Sequence, residues 1–320
     1  MEKVSVIIPN YNHARYLRQR IESVLRQTYQ NTEIFILDDC STDSSLEVIE
    51  DYRSSKIALH TNQRNSGSTF KQWNLGFSLA RGKYIWIAES DDFSEPDFLE
   101  TLVVRMEANP RANLAYSQSM VVDENGKEMF SFQKETNFVN RSHWSADYSN
   151  NGADERARYL SVANTIPNAS AVLTRRTAID RVGGADTGYR LAGDWLFWLR
   201  ILEEGDVEFV SKPLNYFRRH QNTVRASQDA ELGRILEFYK ITEYILSTCD
   251  LSLKQKARVK YLMLRYWCEW SERADIDQRI SGQKQILGLA GRVHWLPGLQ
   301  MRMFSAARTI KKRIGKSNPV

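Results

Sequence analysis

Over residues 4–107, short β-branched runs alternate with segments of helical periodicity, and this alternation constrains the fold more than any other feature. Val4–Ile8, closed by Pro9, reads as a strand. A helix follows, with Leu17, Ile21, Val24 and Leu25 as its apolar stripe and Asn12 as its N-cap. Glu33–Leu37 reads as a second strand, then a helix runs through Leu46, Ile49 and Tyr52, with Ser44 and Glu47 at capping-box spacing. Ile57–His60 is the third strand, residues 68–80 a helix, Tyr84–Ala88 the fourth strand and Glu95–Glu107 another helix. Strands separated by helices imply right-handed βαβ units and a mostly parallel sheet, whose ligands lie beyond the C-terminal strand ends. The polar clusters fall at those ends: Asn10-Tyr11-Asn12, Asp38-Asp39 and Glu89-Ser90-Asp91-Asp92.

Residues 111–225 are less regular, with strand-like pieces near 114–122, 127–132, 170–174 and 207–217. Residues 136–165 are polar and poorly patterned, which suggests a flexible loop over the site. Beyond about residue 229 the pattern is helical, near 230–247, 252–272, 276–290 and 299–314. Two domains are expected, a catalytic domain over 1–225 and a basic helical region over 226–320. With 42% hydrophobic and 26% charged residues, the 320-residue chain carries enough apolar material for real cores. That excludes disordered, collagen-like and disulfide-stapled classes.

The net charge of +5 hides an asymmetry: residues 225–320 hold 18 Lys and Arg against 9 Asp and Glu, and Gln278–Val320 holds nine basic residues and no acidic one. Around 299–314, Leu299, Met303, Ala306, Ala307, Ile310 and Ile314 recur at helical spacing among arginines and lysines. This is the pattern of an interfacial amphipathic helix, and Trp267, Trp270 and Trp295 suit a headgroup boundary. A basic helix packed on its own domain, or one serving a homodimer, is the plainer reading. No nucleic-acid-binding module is visible, so nucleic acid is not an expected partner. No uncharged apolar run is long enough to span a bilayer, and no signal peptide is recognisable. Cys40, Cys249 and Cys268 make no C-x-x-C pair. The expected location is the cytoplasm, with peripheral contact at the inner membrane face.

Three carboxylates in Glu89-Ser90-Asp91-Asp92, placed where a buried strand reaches solvent, repel one another unless a cation or a donor network compensates them. Such oxygen-rich clusters suit Mg²⁺ or Mn²⁺ bridging to substrate phosphates. A helix cap at Asp92 or Ser94 would explain one oxygen but not three carboxylates. No Walker A or G-x-G-x-x-G sequence follows the first strand, which argues against an ATPase or a dehydrogenase.

Taken in order, V-S-V-I-I-P-N-Y-N (4–12), L-D-D-C-S-T-D (37–43), N-S-G…N-L-G (65–76), E-S-D-D (89–92), G-D-W-L-F-W-L-R (193–200) and Y-F-R-R-H (216–220) resemble the family 2 inverting glycosyltransferases, whose catalytic domain has the GT-A fold. The resemblance covers roughly residues 3–225. It implies an α/β nucleotide-sugar-binding domain with a donor, usually a UDP-sugar, across the first four strand ends. Pro9, Tyr11 and Asp39 would hold base and ribose, with Asn12, Asn65, Glu89 and Ser90 on the same donor side and Lys71 reaching the diphosphate. Asp91 matches the metal position of the family's D-x-D motif, His220 a histidine that helps hold metal or diphosphate, and Asp194 the general base. Trp195 and Asn168 are acceptor-side candidates, Trp195 with the core as its plainer place.

Two positions depart from the family pattern: Glu89 stands where aspartate is usual, and Gly193 where many members carry a second acid. The implied reaction is metal-dependent transfer of one sugar to a saccharide or lipid-linked saccharide, in O-antigen, capsule or exopolysaccharide assembly. Q-x-x-R-W, the mark of processive relatives, is missing. The rivals are a sugar-1-phosphate nucleotidyltransferase, which would want a glycine-rich basic loop after the first strand, and an inactive sugar-nucleotide sensor or scaffold.

Overall fold

All seven residues of Val4–Asn10 (β1) are buried, because β1 lies inside a sheet and is covered on both faces. It pairs in parallel with Thr32–Asp38 (β2) on one side and Tyr84–Ile87 (β4) on the other, and β2 carries Ile57–Thr61 (β3). The crossovers are helices Ala14–Leu25 (α1), Ser45–Glu50 (α2) and Thr69–Leu79 (α3). Phe93–Ser94 (β5) and Phe98–Ala108 (α4) follow. The computed structural model describes residues 1–52, 56–220, 228–274 and 276–293. The chain divides into two compact units, Met1–Gln221 and Asn222–Val320.

The rest of the first unit turns the sheet from parallel to mixed. Ala112–Val122 (β6), Glu128–Ser131 (β7), Tyr148–Asn151 (β8), Val172–Arg175 (β9) and Asp206–Arg218 (β10) give the order β3-β2-β1-β4-β9-β6-β10-β5, with β7 on β6 and β8 on β10. β9 runs antiparallel to β4 and β6, while β6 and β10 are parallel to each other. The C-terminal ends of β1 to β4, β6 and β10 and the start of β9 therefore share one edge. Helices Gln133–Thr136 (α5), Gly152–Glu155 (α6), Arg176–Val182 (α7) and Gly193–Ile201 (α8) complete the unit.

Several local expectations gave way to longer-range partners. Asn12 does not cap α1: its φ of 55° turns its side chain toward the next loop, where Oδ1 accepts from the Thr42 and Asp43 N–H groups, and Asp43 caps Ala14 instead. Asp43 also takes the Ser45 N–H, replacing the Ser44–Glu47 box. Neither Asp92 nor Ser94 starts α4; the Gln27 side chain accepts from Leu99 N–H. Residues 136–165 are no loose loop either. They carry β8, α6 and a π-helical turn, Arg156–Leu160, and they bury Trp144, Tyr159 and Leu160. His143 stacks on Tyr159 at 3.6 Å and contacts Glu155, which accepts from Tyr148 and Asn150, so these four polar side chains satisfy one another inside the fold.

In the second unit, Gln228–Thr248 (α9) packs against Leu253–Ser271 (α10) and Ile276–Val293 (α11). Ser252 and Gln255 form a reciprocal capping box at the start of α10. Trp267 and Trp270 are buried with ring centroids 5.0 Å apart. Their place is the core of the unit rather than a membrane boundary, because each finds apolar cover within the helices. The amphipathic segment 299–314 and Trp295 lie outside the described residues. Among the described residues no helix is long and apolar enough to cross a membrane.

Gly76 lets α3 lie directly on β1, since a Cβ there would stand 2.5 Å from the Ile7 side chain. Gly76→Ala should destabilise the chain by about 1–3 kcal/mol through overpacking, whereas Gly291→Ala, where a Cβ meets nothing within 4 Å, should be neutral or stabilising. Paired thermal melts check this.

Candidate active site

The loops at the shared sheet edge are held by backbone bonds that extend the ladders past the strands. Asp39 N–H bonds Asn10 C=O at 2.8 Å, Asn62 N–H bonds Asp38 C=O at 2.9 Å, and Ala88 N–H bonds Ile7 C=O at 2.8 Å. Cys40 sits at φ 65°, a conformation that costs a non-glycine residue about 1–3 kcal/mol and persists only where its surroundings over-determine it. Asp38 supplies that determination, accepting from Asn10 Nδ2, Ser41 N–H and Ser41 Oγ. Asp39 is then turned toward α3: Oδ1 accepts from Asn62, Ser66 N–H and Gln72, while Oδ2 accepts from Ser66 Oγ at 2.7 Å.

The second acid pair divides in the same way. Asp92 is 2% exposed; Oδ2 accepts from Asn168 and Ser170, both at 2.6 Å, and Oδ1 from Arg218 N–H at 2.8 Å. Arg20, wholly buried, approaches the same carboxylate at 4.0 Å and donates from Nε to Glu89 C=O. Burial lowers the Arg20 pKa to about 10, which still leaves it cationic at neutral pH. Arg218 donates to the Asp91 carbonyl at 2.7 Å and to Glu124 C=O and Gln19, so it clamps the turn that presents Asp91.

Asp91 itself faces His220, with Nε2 3.1 Å from Oδ2. Burial would raise its pKa, but the His220 bond and the charges of His13 and His220 outweigh that and hold it below the usual carboxylate range. Burial, followed by the Asp91 charge, pushes Glu89 up to about 8, even though Glu89 accepts from Trp73 Nε1 at 2.8 Å. Ring nitrogens of His13 and His220 and a carboxylate oxygen of Asp91 all lie within 4.8 Å of one another. Adjacent ligands on an ion with bonds of about 2.1 Å stand about 3 Å apart, so the 3.1 Å separation of His220 and Asp91 fits one divalent cation. When bound, such an ion would neutralise charge gathering on a diphosphate leaving group.

Asp194 lies in the first turn of α8, where aligned peptide dipoles favour an anion. It accepts from Asn164 at 3.0 Å and Trp195 N–H at 2.9 Å. The acids meet through α3: Gln72 binds Asp39, Trp73 binds Glu89, and the Phe70 ring lies where a Cβ on Gly193 would stand, 2.6 Å away. That ring explains why glycine rather than a second acid precedes Asp194.

The family model for glycosyl transferase family 2 matches residues 5–183. The chain belongs to that family. GlyG of Streptococcus pneumoniae, named a glycosyltransferase, is 26% identical over 268 residues, 82% of this chain and 86% of that protein. The crystal structure of S. aureus TarS 1-349 in complex with UDP-GlcNAc superposes with a TM-score of 0.72 at 17% identity, covering 91% of this chain and 82% of that 1-349 chain. The mannosyltransferase PcManGT of Pyrobaculum calidifontis, in complex with GDP-Man and Mn²⁺, gives 0.58 at 14% identity, covering 95% and 83%. The fold is therefore GT-A, and the enzyme is a glycosyltransferase rather than a sugar-1-phosphate nucleotidyltransferase.

Within this family 2 glycosyltransferase, the expected residues divide between site and framework. Pro9 lies within β1, paired with Leu37 of β2, one residue before the strand end that the sequence placed at Pro9 itself, and Tyr11 is exposed just beyond Asn10. Asn65 bonds Gly67 N–H, and Lys71 reaches back to Ser66 C=O from α3. Asn12 braces the neighbouring loop, as described above. Asn168 is buried, donating to Asp92 and accepting from Asn215, so it belongs to the framework rather than the acceptor side. Trp195 is likewise core, its indole N–H bonded to Leu160 C=O. Ser90 is buried against His13 Nδ1 at 2.8 Å. His13 was not singled out from the sequence; the motif Y-N-H-A gave no signal that a histidine beyond β1 would meet the loop after β4.

Asp92→Ala should lose about 3–5 kcal/mol of stability, because it strands Arg20 and the Asn168 and Ser170 donors in the interior. Asp91→Ala should melt within about 1 kcal/mol of the wild type. Thermal denaturation of the two variants separates the acid that anchors the turn from the one that faces the histidines.

Proposed function

We propose that the enzyme moves one sugar from a nucleotide sugar, a UDP-sugar, to a hydroxyl of a saccharide or lipid-linked saccharide, with inversion and with Mn²⁺ or Mg²⁺ bound. The observations that support this reading are the Asp91–His220 pair at 3.1 Å and the contacts of α3 with Asp39 through Gln72, with Glu89 through Trp73 and with Gly193, beside Asp194, through Phe70. The nucleotide sugars and the Mn²⁺ in the TarS and PcManGT complexes support the same assignment.

In this reading Asp39 accepts a base N–H on Oδ2, which among the described residues takes Ser66 alone and retains lone-pair capacity. Pro9 and Tyr11 form the nucleoside wall and Lys71 meets the diphosphate, with Asn65 shaping the loop beside it. Asp91 and His220 hold the cation. Glu89, tied to Trp73, orients the floor of the donor site rather than reaching ribose. The acceptor hydroxyl gives its proton to Asp194 as its oxygen bonds to the anomeric carbon; the bond from that carbon to the diphosphate oxygen breaks on the opposite face. The nucleoside diphosphate leaves with the electron pair, and one displacement gives one inversion. The nine basic residues between Gln278 and Val320, with no acid among them, support an acceptor presented at an anionic membrane surface in cell-surface polysaccharide assembly.

Asp194→Asn should cut the turnover by roughly a hundred- to ten-thousand-fold while leaving UDP–Mn²⁺ binding by calorimetry unchanged. Joint loss of binding and turnover would overturn the base assignment. Shortening the chain after residue 290 should weaken binding to anionic vesicles, most at low salt; salt-independent binding would count against the membrane role.

A further inference from the structure

Three segments far apart in the chain bring nitrogen and oxygen donors together: His13 after β1, Asp91 after β4 and His220 after β10. The His13 side chain has no local task. It stands at the N-cap of α1 but makes no capping bond, since Asp43 takes the Ala14 N–H. Ser90, 2% exposed and adjacent to Asp91, lies 2.8 Å from His13 Nδ1. Metal-binding histidines are oriented in this way, one ring nitrogen fixed by an oxygen so that the other keeps its lone pair for the ion. The His13 ring meets the His220 ring edge-on at 5.6 Å and 87°, and Tyr16 packs against both.

We propose that His13 is a third protein ligand of the divalent cation, completing a His–Asp–His set that selects Mn²⁺ or Co²⁺ over Mg²⁺. The proposal rests on the metal-dependent reading above and goes beyond it, because that reading needs only Asp91 and His220. Two imidazoles are poor replacements for the waters Mg²⁺ releases reluctantly, whereas they suit borderline transition ions. Ser90 acts through His13 as a positioning residue: with Nδ1–H donated to its hydroxyl, Nε2 is left for the ion.

The test titrates Mn²⁺, Co²⁺ and Mg²⁺ separately into the full-length protein saturated with UDP, by calorimetry and, for Co²⁺, by visible absorption. The wild type should bind Mn²⁺ and Co²⁺ at least about tenfold tighter than Mg²⁺. His13→Gln should weaken Mn²⁺ and Co²⁺ by about 10–100-fold, change the Co²⁺ spectrum and leave Mg²⁺ within about threefold. Ser90→Ala, which keeps the imidazole, should weaken Mn²⁺ by about tenfold. Circular dichroism melts confirm that each variant is folded. Unchanged Mn²⁺ affinity and Co²⁺ spectrum in folded His13→Gln would overturn the third-ligand assignment while the wider reading stands. A wild type that binds no cation with UDP would overturn the metal-dependent reading itself.

Discussion

A buried carboxylate is among the most costly groups a protein interior can hold unless donors and a counter-charge surround it, and the edge of this sheet is organised around one so surrounded, Asp92. Its two oxygens take donors from the turn that precedes β9, through Asn168 and Ser170, and from the end of β10, through Arg218 N–H, while Arg20 approaches from α1. Strands far apart in sequence are thereby tied at one level. The immediate neighbour, Asp91, is turned the other way, toward His220 and His13. Asp91 can face the histidines because Asp92 anchors the turn that carries both.

The same division recurs one loop earlier. Asp38 closes the strained turn at Cys40, and Asp39 is left to face α3. In both pairs one carboxylate holds the backbone where it leaves the sheet, across the strained turn at Cys40 in the Asp38–Asp39 pair, and the other faces a neighbouring element. α3 links the two: within four residues it contributes Phe70 against Gly193, Gln72 to Asp39 and Trp73 to Glu89. Gly76 lets that helix lie close on β1. A site assembled in this way is set by packing rather than by loop flexibility, consistent with the ordered segment that covers residues 136–165.

The elements were legible because their hydrophobic periods are clean: β1 to β4 and α1, α3 and α4 form within a few residues of where the pattern puts them. Asp91 and His220 were legible as motif positions, and they do meet. Asn168 was expected toward the acceptor, and Trp195 was left between acceptor and core with the core as the plainer place, because polar and aromatic residues near a motif look available until their partners, Asp92, Asn215 and the Leu160 carbonyl, are known. The loop expected over 136–165 failed for a related reason. Its histidine, tyrosines, asparagine and glutamate satisfy one another in a buried cluster, and composition alone cannot distinguish such a cluster from solvated loop.

By itself the sequence determined the βαβ alternation, the edge at which polar residues collect and the membership in a glycosyltransferase family, because these rest on period and order along the chain. Only the tertiary structure decided which acid of each pair is anchored and which is aimed, that Trp267 and Trp270 belong to a core, and that His13 stands beside Asp91. Those outcomes depend on contacts between residues tens to more than a hundred positions apart, a separation over which no local pattern carries information.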